Sequence, residues 1–343
     1  MNPFKTLLTI PSLTGLLLAT IVGALFFGAY DMTWGKAWMA LIQAEGNEAA
    51  NFLLLNIRLP RILLAALVGA GLAISGASIQ GLFRNPLADQ TLIGVSSGAM
   101  LFAVLSIVFM GTSLASFTSF FRQASVAIFA FVGGLLTTYL VYMLSQRQGR
   151  TSVMTMLLAG IAISAFAGAI TGIFIYISDD QQLRDITFWS MGSFGGASWI
   201  QVSIVLPIVG FGILYLTRFS KALNAILLGE AEASYLGIAV EKVKTQTILL
   251  TALIVGVCIS ISGLIGFVGL IIPHFLRLSK GTDYRYLLKG SALLGAVFLV
   301  VADTLARTII EPAELPIGIL TAMVGAPFFL WLLIRSQRKR FAI

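Results

Sequence analysis

Charge is scarce in this sequence. Its 343 residues include 22 Lys or Arg and 14 Asp or Glu, 10% charged in all, against about 25% in an ordinary soluble domain. Cysteine and histidine occur once each, as Cys258 and His274. A single cysteine excludes a disulfide framework and any CxxC metal site, and inside an apolar run Cys258 reads as a small buried hydrophobe. The phosphate-cradling pattern GxxxxGK[ST] is missing too. Its nearest fragment, Gly35-Lys36, has Tyr30 where the first glycine belongs and Ala37 where Ser or Thr belongs. Neither HExxH nor a nucleophile–base arrangement is found. The sequence therefore offers no catalytic residue, no metal site and no cofactor bound by this chain, and His274 reads as a packing or interfacial residue.

What fills the chain instead is apolar. Hydrophobic residues make up 58% of it and mean hydropathy is +0.97, more apolar surface than one soluble core of this length could hide. The expected fold class is all-α: a polytopic membrane protein of about ten transmembrane helices, forming a single domain over residues 1–343. Polar and charged clusters delimit spans near 7–29, 59–80, 92–111, 123–144, 153–177, 198–217, 246–264, 266–279, 289–306 and 316–334. Most approach the ~20 residues that a crossing requires. The first is too long for a signal-peptide core and no small-x-small cleavage site follows it, so it reads as a retained helix. Glycines spaced as Gly94/Gly98, Gly168/Gly172 and Gly192/Gly196 predict close helix–helix contact.

Basic residues set the orientation. With the N-terminus in the cytoplasm, 16 of the 22 fall on inner segments; the outer six are Lys36, Arg58, Arg61, Arg122, Arg184 and Arg307. Positive charge inside is the topology rule, so both termini are expected on the cytoplasmic side of a bacterial inner membrane. The net charge of +8 then reflects topology, with no nucleic-acid partner implied. The interiors of the first seven spans and of the last carry no acidic, basic or histidine side chain. A proton relay lacks material, which weighs against an ion-coupled secondary transporter, the reading from a different class. Asp303, near an outer boundary, could pair with Arg307 one helical turn on. Charge returns in LGEAEASYLGIAVEKVK, Leu228 to Lys244, with five charged side chains in 17 residues on the cytoplasmic side.

Five stretches, RLPR (Arg58–Arg61), GLAISGASIQGLFRNPLADQTLIGVSSGA (Gly71–Ala99), FWSMGSFGGASW (Phe188–Trp199), GLIGFVGLIIPHFLRL (Gly263–Leu278) and ADTLARTIIEPAELPIGILTAMVGAPFFLWLL (Ala302–Leu333), occur in this order. Together they resemble the FecCD-type permeases of ABC importers for iron chelates, haem and vitamin B12. Gln90, where that family often has proline, is expected to alter only a loop. The resemblance implies the type II ABC importer architecture, with ten helices per subunit and a second permease copy, as a homodimer, around a central path. It also implies two cytoplasmic ABC ATPase subunits that use the ATP, a periplasmic or lipid-anchored substrate-binding protein, and surrounding membrane lipid.

The same resemblance assigns roles to residues. ATPase coupling falls to the cytoplasmic loop 220–243, two short helices joined near Gly229, with Ser220, Lys221, Leu228, Gly229, Glu230, Glu232, Tyr235 and Gly237 in the contact. A solvated amphipathic loop without a partner is the plainer reading of those residues. Binding-protein docking falls to Arg58, Arg61 and Arg307, whose planar forks suit carboxylates; anchoring of helix ends is the plainer reading here. Arg184 stands at the mouth of the substrate path, or else pairs with Asp180 or Asp185. Its segment, Ser178–Ser193, resembles haem permeases more than cobalamin ones. Haem is the favoured cargo, a ferric siderophore next and cobalamin last.

Overall fold

The computed structural model describes residues 8–27, 48–113, 119–310 and 313–340. Helix α1 (Ile10–Ala24) precedes α2, which is continuous over Glu48–Leu82 and has a π-helical turn at Leu53–Arg58. After a 3-10 turn at Gln90–Ile93 come α3 (Val95–Ser113) and α4 (Ser119–Ser145). A hairpin of β1 (Gln146–Arg147) and β2 (Arg150–Thr151) leads to α5 (Val153–Ile177), α6 (Asp180–Met191) and α7 (Trp199–Arg218). Two short helices, α8 (Ser220–Leu228) and α9 (Glu230–Tyr235), precede α10 (Val240–Ser262), α11 (Val268–Lys280), α12 (Tyr284–Ala306) and α13 (Ile317–Arg340).

Each expected span coincides with a helix, and six helices among the described residues are long and apolar enough to cross a membrane. Shorter apolar helices cover Ile10–Ala24, Val95–Phe109 and Ile317–Trp331. One bound differs in a way that moves expected site residues. Helix α2 begins at Glu48 rather than near residue 59, so Arg58 and Arg61 lie within a helix and not at its edge. Helix α11 is short, as its expected span is, with 13 residues, about 20 Å of rise against a hydrocarbon core of about 30 Å. The hairpin was not foreseen. Gln148 (φ 52°) and Gly149 (φ 75°) both take the left-handed conformation, which a two-residue hairpin turn of matching twist requires.

The centre of the bundle is α2, buried along nearly its whole length and packed by α7, α8, α10, α11 and α12. A helix apolar all round belongs inside, and small residues on several faces let neighbours approach. A Cβ added at Gly69 would collide with the Gly295 carbonyl on α12, and one at Gly76 with Gly269 on α11. These are backbone-to-backbone crossings. Of the predicted glycine pairs, Gly94 and Gly98 face Thr137 on α4, as expected for packing. Gly168 and Gly172 meet nothing within 4 Å in this chain, and Gly192 ends α6 with φ 71°.

Gln90 does more than alter a loop. It is buried, and a Cβ on Gly269 would strike its side-chain oxygen. The Gln90 side chain thus fills the space left by a glycine at the α2–α11 crossing.

Candidate docking, path and coupling sites

At the expected outer face, α1 ends where α2 and α12 pass. The last carbonyls of a helix have no partner within it and attract cations. Arg307 Nη2 donates to the Ala24 carbonyl and Arg58 Nη1 to that of Leu25, both at 2.6 Å. Arg61 grips Asp303 through Nε (3.0 and 3.1 Å) and Nη2 (2.9 Å), and its Nη1 reaches Glu314 Oε1 at 2.7 Å. Arg307 Nε stands 3.9 Å from Asp303 Oδ2. The closer partner of Asp303 is therefore Arg61 rather than Arg307, because the Gly69–Gly295 crossing holds α2 and α12 together. The three arginines expected to dock a partner form one cluster, but they face inward: Arg58 is 4% exposed, Arg61 and Arg307 each 7%. Glu314, 44% exposed, is the member that reaches the surface. Nothing in the sequence singled it out.

Arg184 lies exposed on α6 and joins none of the ion pairs among the described residues, so the alternative pairing with Asp180 or Asp185 is not formed. The helix is fixed by Asp179, which accepts from the Gln182 amide at 2.8 Å, and by Gln182, whose Nε2 donates to the Val108 carbonyl on α3 at 3.3 Å. Beyond α6, irregular backbone at Gly192–Ser198 meets that at Gly263–Phe267. Ser193 N donates to Ser262 O at 2.8 Å, and Ile317 N to Gly192 O at 3.0 Å. Gly263 (φ 70°) and Phe267 (φ 68°) are left-handed; the Phe267 ring lies against Gly325, where any side chain would collide with it.

Helix α11 rises only about 20 Å, too little to cross a hydrocarbon core of about 30 Å, so a span built on it requires the Gly263–Phe267 backbone before it to sit at membrane depth. Non-helical backbone is tolerated at that depth only inside protein or beside a cavity. Such a cavity, about 230 Å³, is lined by Phe188, Trp189, Ser193, Phe194, Gln201 and Ser262 among others. Two of the five family-like stretches, Phe188–Trp199 and Gly263–Leu278, contribute to its lining.

At the expected cytoplasmic face, α8 buries Ala222, Leu223, Ala225 and Ile226, and Gly229 (φ 142°) turns the chain into α9. A β-carbon there would collide with the Glu232 carboxylate. A small core of Ala222, Ala225, Ile226, Ala233 and Val243 holds the pair of helices. Tyr235 is 91% exposed; Lys221, Leu228, Glu232 and Gly237 are also exposed, while Ser220 is half-buried and Gly229 buried. Glu230 is half-buried, its side chain 38% exposed. It accepts from Lys244 Nζ at 2.6 Å, and the same ammonium donates to Glu241 Oε1 (3.1 Å) and the Thr151 carbonyl (3.0 Å). Thr151 N in turn donates to Glu241 Oε2 at 2.8 Å. Lys244, 2% exposed, thus ties α9, α10 and the α4–α5 hairpin together. The Glu241/Lys244 spacing of three was the only sequence signal for this knot.

Helices long and apolar enough to span a membrane, packed around irregular backbone and a cavity, are the frame of a polytopic membrane protein. Residues 16–335 match the profile of the FecCD transport family, and the chain belongs to that family. It is 45% identical over 329 residues to the hemin transport system permease protein HmuU of Yersinia pestis, with 95% of each chain covered. It is 40% identical over 325 residues to the vitamin B12 import system permease protein BtuC of Serratia proteamaculans, covering 95% of this chain and 94% of that one. An inward-facing structure assigned to the metal-chelate type of ABC transporter superposes with a TM-score of 0.81 at 35% identity, over 95% of this chain and 98% of that one. The chain is an ABC importer permease of the haem, vitamin B12 and metal-chelate kind.

Proposed function

We propose that this chain is the membrane subunit of a haem importer. The observation that carries the reading is the 45% identity to a hemin permease over 95% of both chains. Vitamin B12 permeases, at 40% from Serratia proteamaculans, favour a second reading in which cobalamin is the cargo. An exposed, unpaired Arg184 at the outer end of α6 suits haem, whose propionates are anionic, better than it suits cobalamin.

Two copies would enclose the path, with both termini in the cytoplasm. Helix α5 supports this: it is largely exposed, and Gly168 and Gly172 lie open on it. Two ATPase subunits would grip the ledge of α8 and α9 through Leu228, Glu232 and Tyr235, which are among the exposed members of the loop. A short helix seated in a groove transmits rigid-body movement well. A substrate-binding protein would dock at the opposite face. Its carboxylates would compete with Glu314 for Arg61, the guanidinium whose acidic partner is itself surface-exposed.

Growth of a deletion strain, lacking other uptake routes, on haem, on single ferric siderophores and in cobalamin-dependent medium tests the cargo. Loss on haem alone is the expected result. Loss on a siderophore alone, or only of cobalamin-dependent growth, overturns haem and leaves the permease assignment standing.

A further inference from the structure

A cavity of about 480 Å³ opens between α1, α2, α7 and α12, away from the irregular segments described above. Twelve of its thirteen lining residues are apolar, Leu17, Leu63, Leu67, Leu206 and Leu293 among them; the thirteenth is Lys289. A volume of this size accepts an organic ligand. Walls this apolar give water no hydrogen-bond partners, and the slot lies between helices that bilayer lipid surrounds.

The fluid that fits such walls is an acyl chain. Lys289 makes the slot asymmetric. It is exposed and joins none of the ion pairs among the described residues. Arg285, also exposed, lies one turn nearer the start of α12, on the same face. Both belong to the basic residues that charge bias assigns to the inner side. The slot is also preformed, because Tyr286 Oη donates to the Leu8 carbonyl at 2.5 Å and fixes the start of α1 on α12.

We propose that this slot binds one anionic phospholipid, an acyl chain along the apolar walls and the headgroup phosphate on Lys289. A basic residue at headgroup level on the inner leaflet favours anionic over zwitterionic lipid by about fivefold. The charge at one end and the narrow apolar bore match a single amphipathic anion better than the broad face of a second protein chain. The site is independent of which cargo the permease carries.

The test reconstitutes the full chain in nanodiscs of equal phosphatidylglycerol and phosphatidylcholine with matched acyl chains, then counts retained lipids by native mass spectrometry. One phosphatidylglycerol per chain, preferred about fivefold, is the expected result. Lys289→Gln should abolish the preference and Lys289→Arg should keep it; neither changes a buried contact. Ala292→Phe, filling the slot, should lower retention of both lipids. Equal retention of the two lipids by the wild type, or an undiminished preference in Lys289→Gln, overturns the proposal. So does an efficient disulfide between two copies carrying Leu206→Cys, because a second chain would then occupy the slot.

Discussion

Arg61 and Asp303, 242 positions apart in sequence, meet through three N–H···O contacts of 2.9–3.1 Å in a nearly water-free site. Removing one partner of such a pair leaves the other charged, buried and uncompensated, at a cost of ~3–5 kcal/mol, whereas replacing both with apolar groups is often close to neutral. Asp303→Ala should therefore lower the thermal midpoint of the solubilised protein sharply, and Arg61→Met with Asp303→Leu should recover much of the loss. Glu314→Gln, which removes only the exposed partner, should cost far less. A single Asp303→Ala variant as stable as wild type would show that the pair does not hold α2 to α12.

Lys244 plays the corresponding part at the other face. Its ammonium holds Glu230 on the ledge, Glu241 on α10 and the Thr151 carbonyl. Charge-assisted hydrogen bonds of this kind contribute ~1.5 kcal/mol or more each. Lys244→Met should speed hydrogen exchange at the amides of Glu230–Tyr235 by about tenfold while leaving α5 unchanged. In the assembled importer the same variant should hydrolyse ATP with less transport per ATP. Unchanged exchange in α9 would mean that packing of Ala233 and Ile226 alone keeps the ledge in place.

Much of this was legible in the sequence, and the limits have physical causes. Helix α5 has the expected bounds because Ser152 caps its start and an apolar run of 25 residues follows. The corner at Gly229 was foreseen, and only a glycine accepts its φ of 142°. Pairing was less legible. Asp303 and Arg307 have the helical spacing of an ion pair, yet Asp303 binds Arg61, since which helices cross at which glycine is a tertiary fact that spacing does not encode. Three charged residues assigned outward roles by resemblance, Arg58, Arg61 and Arg307, are folded inward. Sequence gives a side chain's chemistry and its side of the membrane, but burial depends on neighbours from distant segments.

The glycines offer a sharper contrast. At Gly76 any β-carbon collides with the Gly269 backbone, whereas at Gly168 nothing lies within 4 Å. Overpacking a tight crossing costs ~1–3 kcal/mol or more. Gly76→Val should reduce the yield of folded protein markedly. Gly168→Leu should fold normally as a single chain. If Gly168→Leu also weakens association of two copies, seen by size-exclusion chromatography with light scattering, α5 is the dimer face; normal dimers would place that interface elsewhere.

Asp283 predicts a pH effect at the ledge. It caps α12 by accepting from the Arg285 amide at 2.9 Å, and it accepts from Asn224 Nδ2 on α8 at 2.7 Å; Tyr284 N donates back to Asn224 Oδ1. These bonds, that from Asn224 first, hold the Asp283 carboxyl below its ordinary range. A depressed folded-state value means the stabilisation is fully present above the unfolded pKa of about 3.9 and is lost as pH falls through the folded value. Between pH 5 and pH 3 the wild type should therefore lose more thermal stability than Asp283→Asn, whose side chain keeps an acceptor oxygen but does not titrate. The exposed site makes the difference modest, and other carboxylates cancel in the comparison. Equal losses in the two proteins would remove Asp283 as the pH-dependent link between α8 and α12, leaving hydrophobic packing of Leu223 to carry it.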